Sequence, residues 1–160
     1  TGFKLNTWLL TIPATYLGIA QAARDYAVEF ATTHSPNSIE GTIADLPNVQ
    51  TLIGEMDIEL AKARFTLYGA ATSALNEKTK YQSINSVNIA KYVVTNAAIT
   101  VVDKAMRLVG AKSLQLENPL QRYYRDVRAG LHNPPMDDLT VKLVAKEAIE
   151  KLKSKESSEA

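Results

Sequence analysis

Apolar residues recur along this chain at helical spacing, in blocks separated by turn formers. The clearest block is Val49, Ile53, Met56, Leu60, Ala63, Leu67, Ala70 and Ala74, at alternating spacings of four and three, with Glu55, Glu59, Lys62 and Thr66 off that seam. A stripe of this period predicts one long helix that packs along its length against neighbours. Upstream, Leu17, Ala20, Ala23, Ala27 and Phe30 share one face of a helix that ends near Thr33 and that Asn6 or Thr7 can cap. Pro13 suits the start of that helix better than its middle, because an early proline loses no hydrogen bond. A third helix carries Ile84, Val87, Val94, Ala98, Val101, Ala105 and Leu108 on its seam. Lys91 interrupts it, and a lysine there is expected to snorkel to an edge of the bundle. Gly110 is placed to stop this helix, since glycine takes the left-handed conformation without steric cost.

HSPNSIEGTIADLP and NEKTKYQS are rich in turn formers and read as connections within one domain. Asp137 or Asp138 can cap a last helix over residues 139–153, with Leu139, Leu143, Ala145, Ile149 and Leu152 as its apolar positions; the polar residues 154–160 read as a disordered tail. Four substantial helices and one short helix, with no strand pattern and no glycine-rich phosphate loop, predict an all-α, up-and-down four-helix bundle over residues 1–153.

Composition narrows the picture. The 160 residues are 46% hydrophobic, enough for one domain with a core. Eighteen basic and 17 acidic residues leave a net charge of +1, which provides no electrostatic reason to expect nucleic acid or an anionic membrane as a partner. Cysteine is absent and His34 and His132 are the only histidines, so no metal site is expected and a reducing, cytoplasmic compartment is. No apolar run approaches the roughly 20 residues of a membrane span. The chain opens on Thr1 rather than Met, and a piece of a longer protein is expected.

Candidate chemistry gathers in residues 119–138, PLQRYYRDVRAGLHNPPMDD. Arg122, Arg125, Asp126 and Arg128 lie within two helical turns, which predicts a structural ion-pair network at a bundle end or subunit interface. Together with YLGIAQAARDYAVEFA, PNVQTLIGEMDIELAKARFTLYGAA and VVDKAMRLVGAKSLQLENPLQRYYRDVR, this stretch resembles the C-terminal helical domain of the acyl-CoA dehydrogenase family of flavoproteins, over about residues 5–149.

The resemblance implies a domain of a longer FAD-dependent oxidoreductase acting on an acyl-CoA, in which the bundle supplies a dimer or tetramer interface and one side of the FAD site. The upstream domains would carry most of the flavin and substrate contacts, so these residues alone are expected to be inactive. The family's Q-x-x-G-G turn, which meets the neighbouring subunit's FAD, falls on residues 107–111. Gly110 is kept, whereas Arg107 replaces the glutamine and Ala111 the second glycine; these three are the candidate cofactor-binding residues.

The departures bear on chemistry. A carboxylate base, which these dehydrogenases need to remove the substrate's α-proton, would fall on Pro135 or Pro134, or at the first helix on Trp8; Leu9 replaces the neighbouring arginine, and the TTHSPNSIEG loop replaces the R-x-x-F-G turn. Asp137 or Asp138 could serve as a displaced base. RDVRAGLHNPP also resembles the family's flavin-dependent monooxygenase branch, which implies reduced FMN or FAD and a catalytic His132 suited to proton transfer near neutrality. A non-enzymatic helical module that only assembles subunits is the third reading.

Overall fold

The computed structural model describes residues 7–76, 78–79 and 85–159, all of them helix, turn or loop. Five α-helices form: α1 (Thr11–Thr33), α2 (Pro47–Leu75), α3 (Ser86–Val109), the short α4 (Pro119–Arg128) and α5 (Asp137–Glu159). The all-α class with four long helices and one short one follows the sequence pattern.

Helix starts use proline where the backbone permits it. Pro47 opens α2 and Pro119 opens α4, at positions whose N–H groups have no helical partner anyway. Pro13 sits in the first turn of α1, buried. That helix begins at Thr11, after a 3₁₀ turn over Thr7–Leu10, and its N-cap position, Leu10, makes no side-chain capping bond. The 3₁₀ turn therefore displaces the Thr7 cap expected from sequence, while Asn6 and Ile84 lie outside the described residues.

The core lies where α1, α2 and α3 meet, with α3 in contact with both others and with α4. Val49, Met56, Leu60, Ala63, Leu67, Ala70 and Ala74 of the α2 seam are buried, as are Val87, Val94, Ala98, Val101, Ala105 and Leu108 of α3. From α1 come mostly alanines, Ala20, Ala23, Ala27 and Ala31, all fully buried. Small side chains on one helix let the larger ones opposite interdigitate at close range.

Two expectations need correction. Lys91 does not reach an edge: it is fully buried, and its Nζ lies 3.4 Å from Asp137 Oδ1 because the start of α5 covers it and brings a countercharge. Likewise α5 continues past Lys153 to Glu159, through residues whose composition had suggested a disordered tail. Lysine and glutamate are good helix formers, and the Lys151–Glu147 and Lys146–Glu150 pairs add support one turn apart. This helix touches chiefly α3, and Leu139, Val141, Ile149 and Leu152 remain exposed.

Candidate functional site

A cleft opens where α3 stops. Gly110 takes φ 73° and ψ −154°, a conformation that side chains with a Cβ avoid, and its N–H donates to Met106 O. The chain then makes a 3₁₀ turn over Gly110–Leu114 and reaches Asn118, which fixes the start of α4. Asn118 Oδ1 accepts from Leu120 N at 3.0 Å, and its Nδ2 donates to the Tyr26 hydroxyl at 2.9 Å, so the cap of α4 is tied to α1.

Between the turn and α4 lies a cavity of about 590 Å³, lined among others by Arg107, Gly110, Ala111, Gln121, Tyr124 and Arg125. Arg107 Nε donates to Asp103 Oδ2 at 2.7 Å, and this bond raises the guanidinium's pKa above its ordinary value. Arg125 Nη1 donates to Gln121 Oε1, a neutral partner that leaves its charge uncompensated. Leu114 and Leu116, both exposed, supply an apolar rim. Two guanidiniums beside a backbone without side-chain cover suit an anionic or polar group with a flat apolar portion. The lining's one carboxylate, Asp103, is already bonded to Arg107, so the cleft can bind but offers no free base.

The three candidate cofactor-binding residues, Arg107, Gly110 and Ala111, thus share one wall of the cleft. Arg125 joins them, in a role other than the one its sequence suggested. No ion pair links Arg122, Arg125, Asp126 and Arg128 among the described residues. Arg122 lies over the Tyr123 ring, 5.5 Å from its centroid, and Arg128 lies 3.5 Å from the centroid of Tyr124 while donating to Tyr124 O. Neighbouring tyrosine faces capture these guanidiniums instead of the carboxylate. Asp126 is exposed; after burial it is the second cause that raises the pKa of Tyr16. Asp103 and Gln121 were not singled out from sequence, although each precedes its arginine by four residues, a legible helical pairing.

His132 does not join the cleft lining. It is exposed, just beyond the 3₁₀ turn Ala129–Leu131, with its N–H donating to Ala129 O. Nor is a displaced base free. Both oxygens of Asp137 are engaged, Oδ1 by Lys91 and Oδ2 by Asn96 Nδ2 at 2.8 Å, while Asp138 is exposed beside Lys142. Asp137 is the first residue of α5 rather than its cap, since Thr140 N donates to Met136 O. Among the described residues no group of three or more histidine, aspartate or glutamate side chains is placed to hold a metal, and no helix is long and apolar enough to cross a membrane.

Residues 5–131 match the family model for the acyl-CoA dehydrogenase C-terminal domain. The relative named "Putative acyl-CoA dehydrogenase YdbM" of Bacillus subtilis (strain 168) is 58% identical over 149 residues, covering 93% of this chain and 39% of the relative. The mitochondrial short-chain specific acyl-CoA dehydrogenase of Mus musculus is 32% identical over 134 residues, covering 79% of this chain and 31% of its own length. Among solved structures, an acyl-CoA dehydrogenase from Slackia heliotrinireducens DSM 20476 superposes with a TM-score of 0.78 at 31% identity, over 91% of this chain and 37% of that one. The chain therefore spans less than half the length of each of these relatives. With the matched model extending from the first helix through the α4 segment and the fold in agreement, the chain belongs to the acyl-CoA dehydrogenase family, as its C-terminal helical domain.

Proposed function

We propose that this domain supplies one wall of an FAD site and a subunit interface in a longer oxidoreductase that acts on an acyl-CoA. The observation that carries the reading is the cleft at the Gly110 turn, where Arg107 and Arg125 flank exposed backbone. These residues fit part of FAD: the guanidiniums suit its phosphate or polar edge, and no Cβ covers the backbone at Gly110, around which nothing lies within 4 Å of a side-chain position. FAD, when bound, supplies the acceptor for the substrate's hydride. The chain's own contribution is to hold the cofactor edge and to close the site against a neighbouring copy. For that contact α5 offers Val141, Ile149 and Leu152, and the outer face of α2 offers Ile58, Phe65 and Tyr68, all exposed here. The balanced charge and absence of cysteine suit the cytoplasm.

The test uses the full-length protein purified with its flavin. Anaerobic addition of acyl-CoA substrates is expected to bleach the flavin absorbance, and a flavin that stays oxidised with every chain length tried would overturn the reading.

One observation favours a second chemistry. Prolines stand before α5 where the resemblance puts the base, Asp137 is fully engaged, and His132 is exposed in the same connection. That arrangement suits flavin-dependent oxygenation, with His132 donating a proton to the oxygen-derived group. Oxygen consumption that depends on reduced flavin and is lost in His132→Ala would select it over dehydrogenation.

A further inference from the structure

Residues 129–136 join α4 to α5 with one short 3₁₀ turn and little regular structure, yet with Asp137 at the start of α5 they are tied to the bundle at three points. Gly130 is buried so close to α3 that a Cβ there would meet Thr95 Cγ2 at 3.0 Å and Tyr16 Cδ2 at 3.3 Å. Next, the Tyr16 hydroxyl of α1 donates to Asn133 Oδ1 at 2.6 Å. Finally, Lys91 on α3 lies 3.4 Å from Asp137 Oδ1, and Asn96 Nδ2 donates to the other oxygen of that carboxylate.

The last tie is costly. A lysine removed wholly from water loses its hydration, and one carboxylate partner at this distance recovers only part of it, so a buried pair is weak support for stability. The dry core formed by α1 to α4 closes without this pair. What the pair does specify is geometry, since the carboxylate cannot leave without stranding a buried ammonium. Between these ties stands His132, exposed, with no hydrogen bond from its imidazole among the described residues.

We propose that Lys91 and Tyr16 are positioning residues which, from α3 and α1, hold residues 129–137 in a single conformation and so fix the point at which His132 meets the solvent side of the bundle. The rigidity of this turn is assigned to presenting the histidine. The proposal rests on the preceding reading only for the use made of that point.

The test again uses the flavin-loaded full-length protein, with peptide-resolved mass spectrometry reading two quantities: amide deuterium uptake over residues 129–137, and the rate at which diethyl pyrocarbonate modifies His132. Tyr16→Phe, which deletes one hydroxyl, is expected to speed exchange in this segment about fivefold while exchange in α2 is unchanged. Lys91→Met is expected to speed it about tenfold or more. Both variants are expected to change the His132 modification rate at least about twofold. Unchanged uptake, uptake rising equally across α1 to α3, or an unaltered His132 rate in a loosened turn would each overturn the proposal. If Lys91→Met does not fold, the Tyr16→Phe outcome decides alone. Failure of acyl-CoA to bleach the flavin bears on the proposed function and leaves these exchange results to judge the positioning.

Discussion

Helices α2 and α5 both carry apolar residues at helical spacing, but Met56, Leu60 and Ala63 on α2 are at most 2% exposed, whereas Val141, Ile149 and Leu152 on α5 are 55% or more exposed. The difference lies in what each helix rests on. α2 packs along α3 and against α1, and its larger side chains share one core with their alanines and valines. α5 is attached along one edge by polar ties, Asp137 to Lys91 and Asn96 at its start and Glu147 to Asn85 farther on. Apolar periodicity therefore marks a face of a helix without saying whether this chain covers it.

The comparison can be broken most sharply by truncation. Leu60→Ala is expected to cost about 2–5 kcal/mol, since it leaves a cavity in a filled core. Leu152→Ala in the dilute domain is expected to stay within about 0.5 kcal/mol. Denaturant titration reads both, and equal losses would refute the distinction. Next in size, Val141→Glu with Ile149→Glu should weaken self-association by about a hundredfold or more, because charge would be stranded at an apolar contact. Light scattering after size exclusion measures this, and a wild-type protein monomeric at all concentrations would remove the interface from α5.

A smaller effect sharpens the comparison at the cleft. Gly110→Ala has room for its methyl group but not a suitable backbone, so a loss of about 1–2 kcal/mol is expected together with poorer flavin retention in the full-length protein. Asn118→Ala removes the cap of α4 and is expected to cost about 1 kcal/mol by thermal denaturation. The smallest effect is a titration. Tyr16 is held above the ordinary value of 10.0, by burial first and Asp126 second. The folded state thus retains the phenol proton more tightly, and the stability linked to it is complete below the unfolded pKa and lost as pH rises through the folded one. Tyrosinate absorbance should show Tyr16 ionising above the ordinary tyrosine value, and Asp126→Asn should recover only part of the shift.

The fold was largely legible. The α2 seam is a one-dimensional pattern, and each of its positions except the half-buried Ile53 is buried as the spacing implies. Gly110 was legible for a similar reason, because a backbone requirement is local. Lys91 was not, since its partner stands 46 residues later and only the packed chain brings them together. The arginine cluster misled because the sequence shows charges more plainly than the tyrosine faces that compete for them. At the cleft, Arg107, Gly110 and Ala111 came from a motif, while Arg125 entered it because α4 packs against α3 beside the Gly110 turn, a tertiary placement that spacing does not encode.

The placement of α5 also orders events during synthesis. The helices whose buried residues form the core, α1 to α4, precede it in the chain and emerge first during synthesis. A nascent chain can consolidate α1, α2 and α3 before Val141, Ile149 and Leu152 have left the ribosome. The exposed apolar residues of α5 thereby emerge after a core that can already close, which spares that core from competing with them.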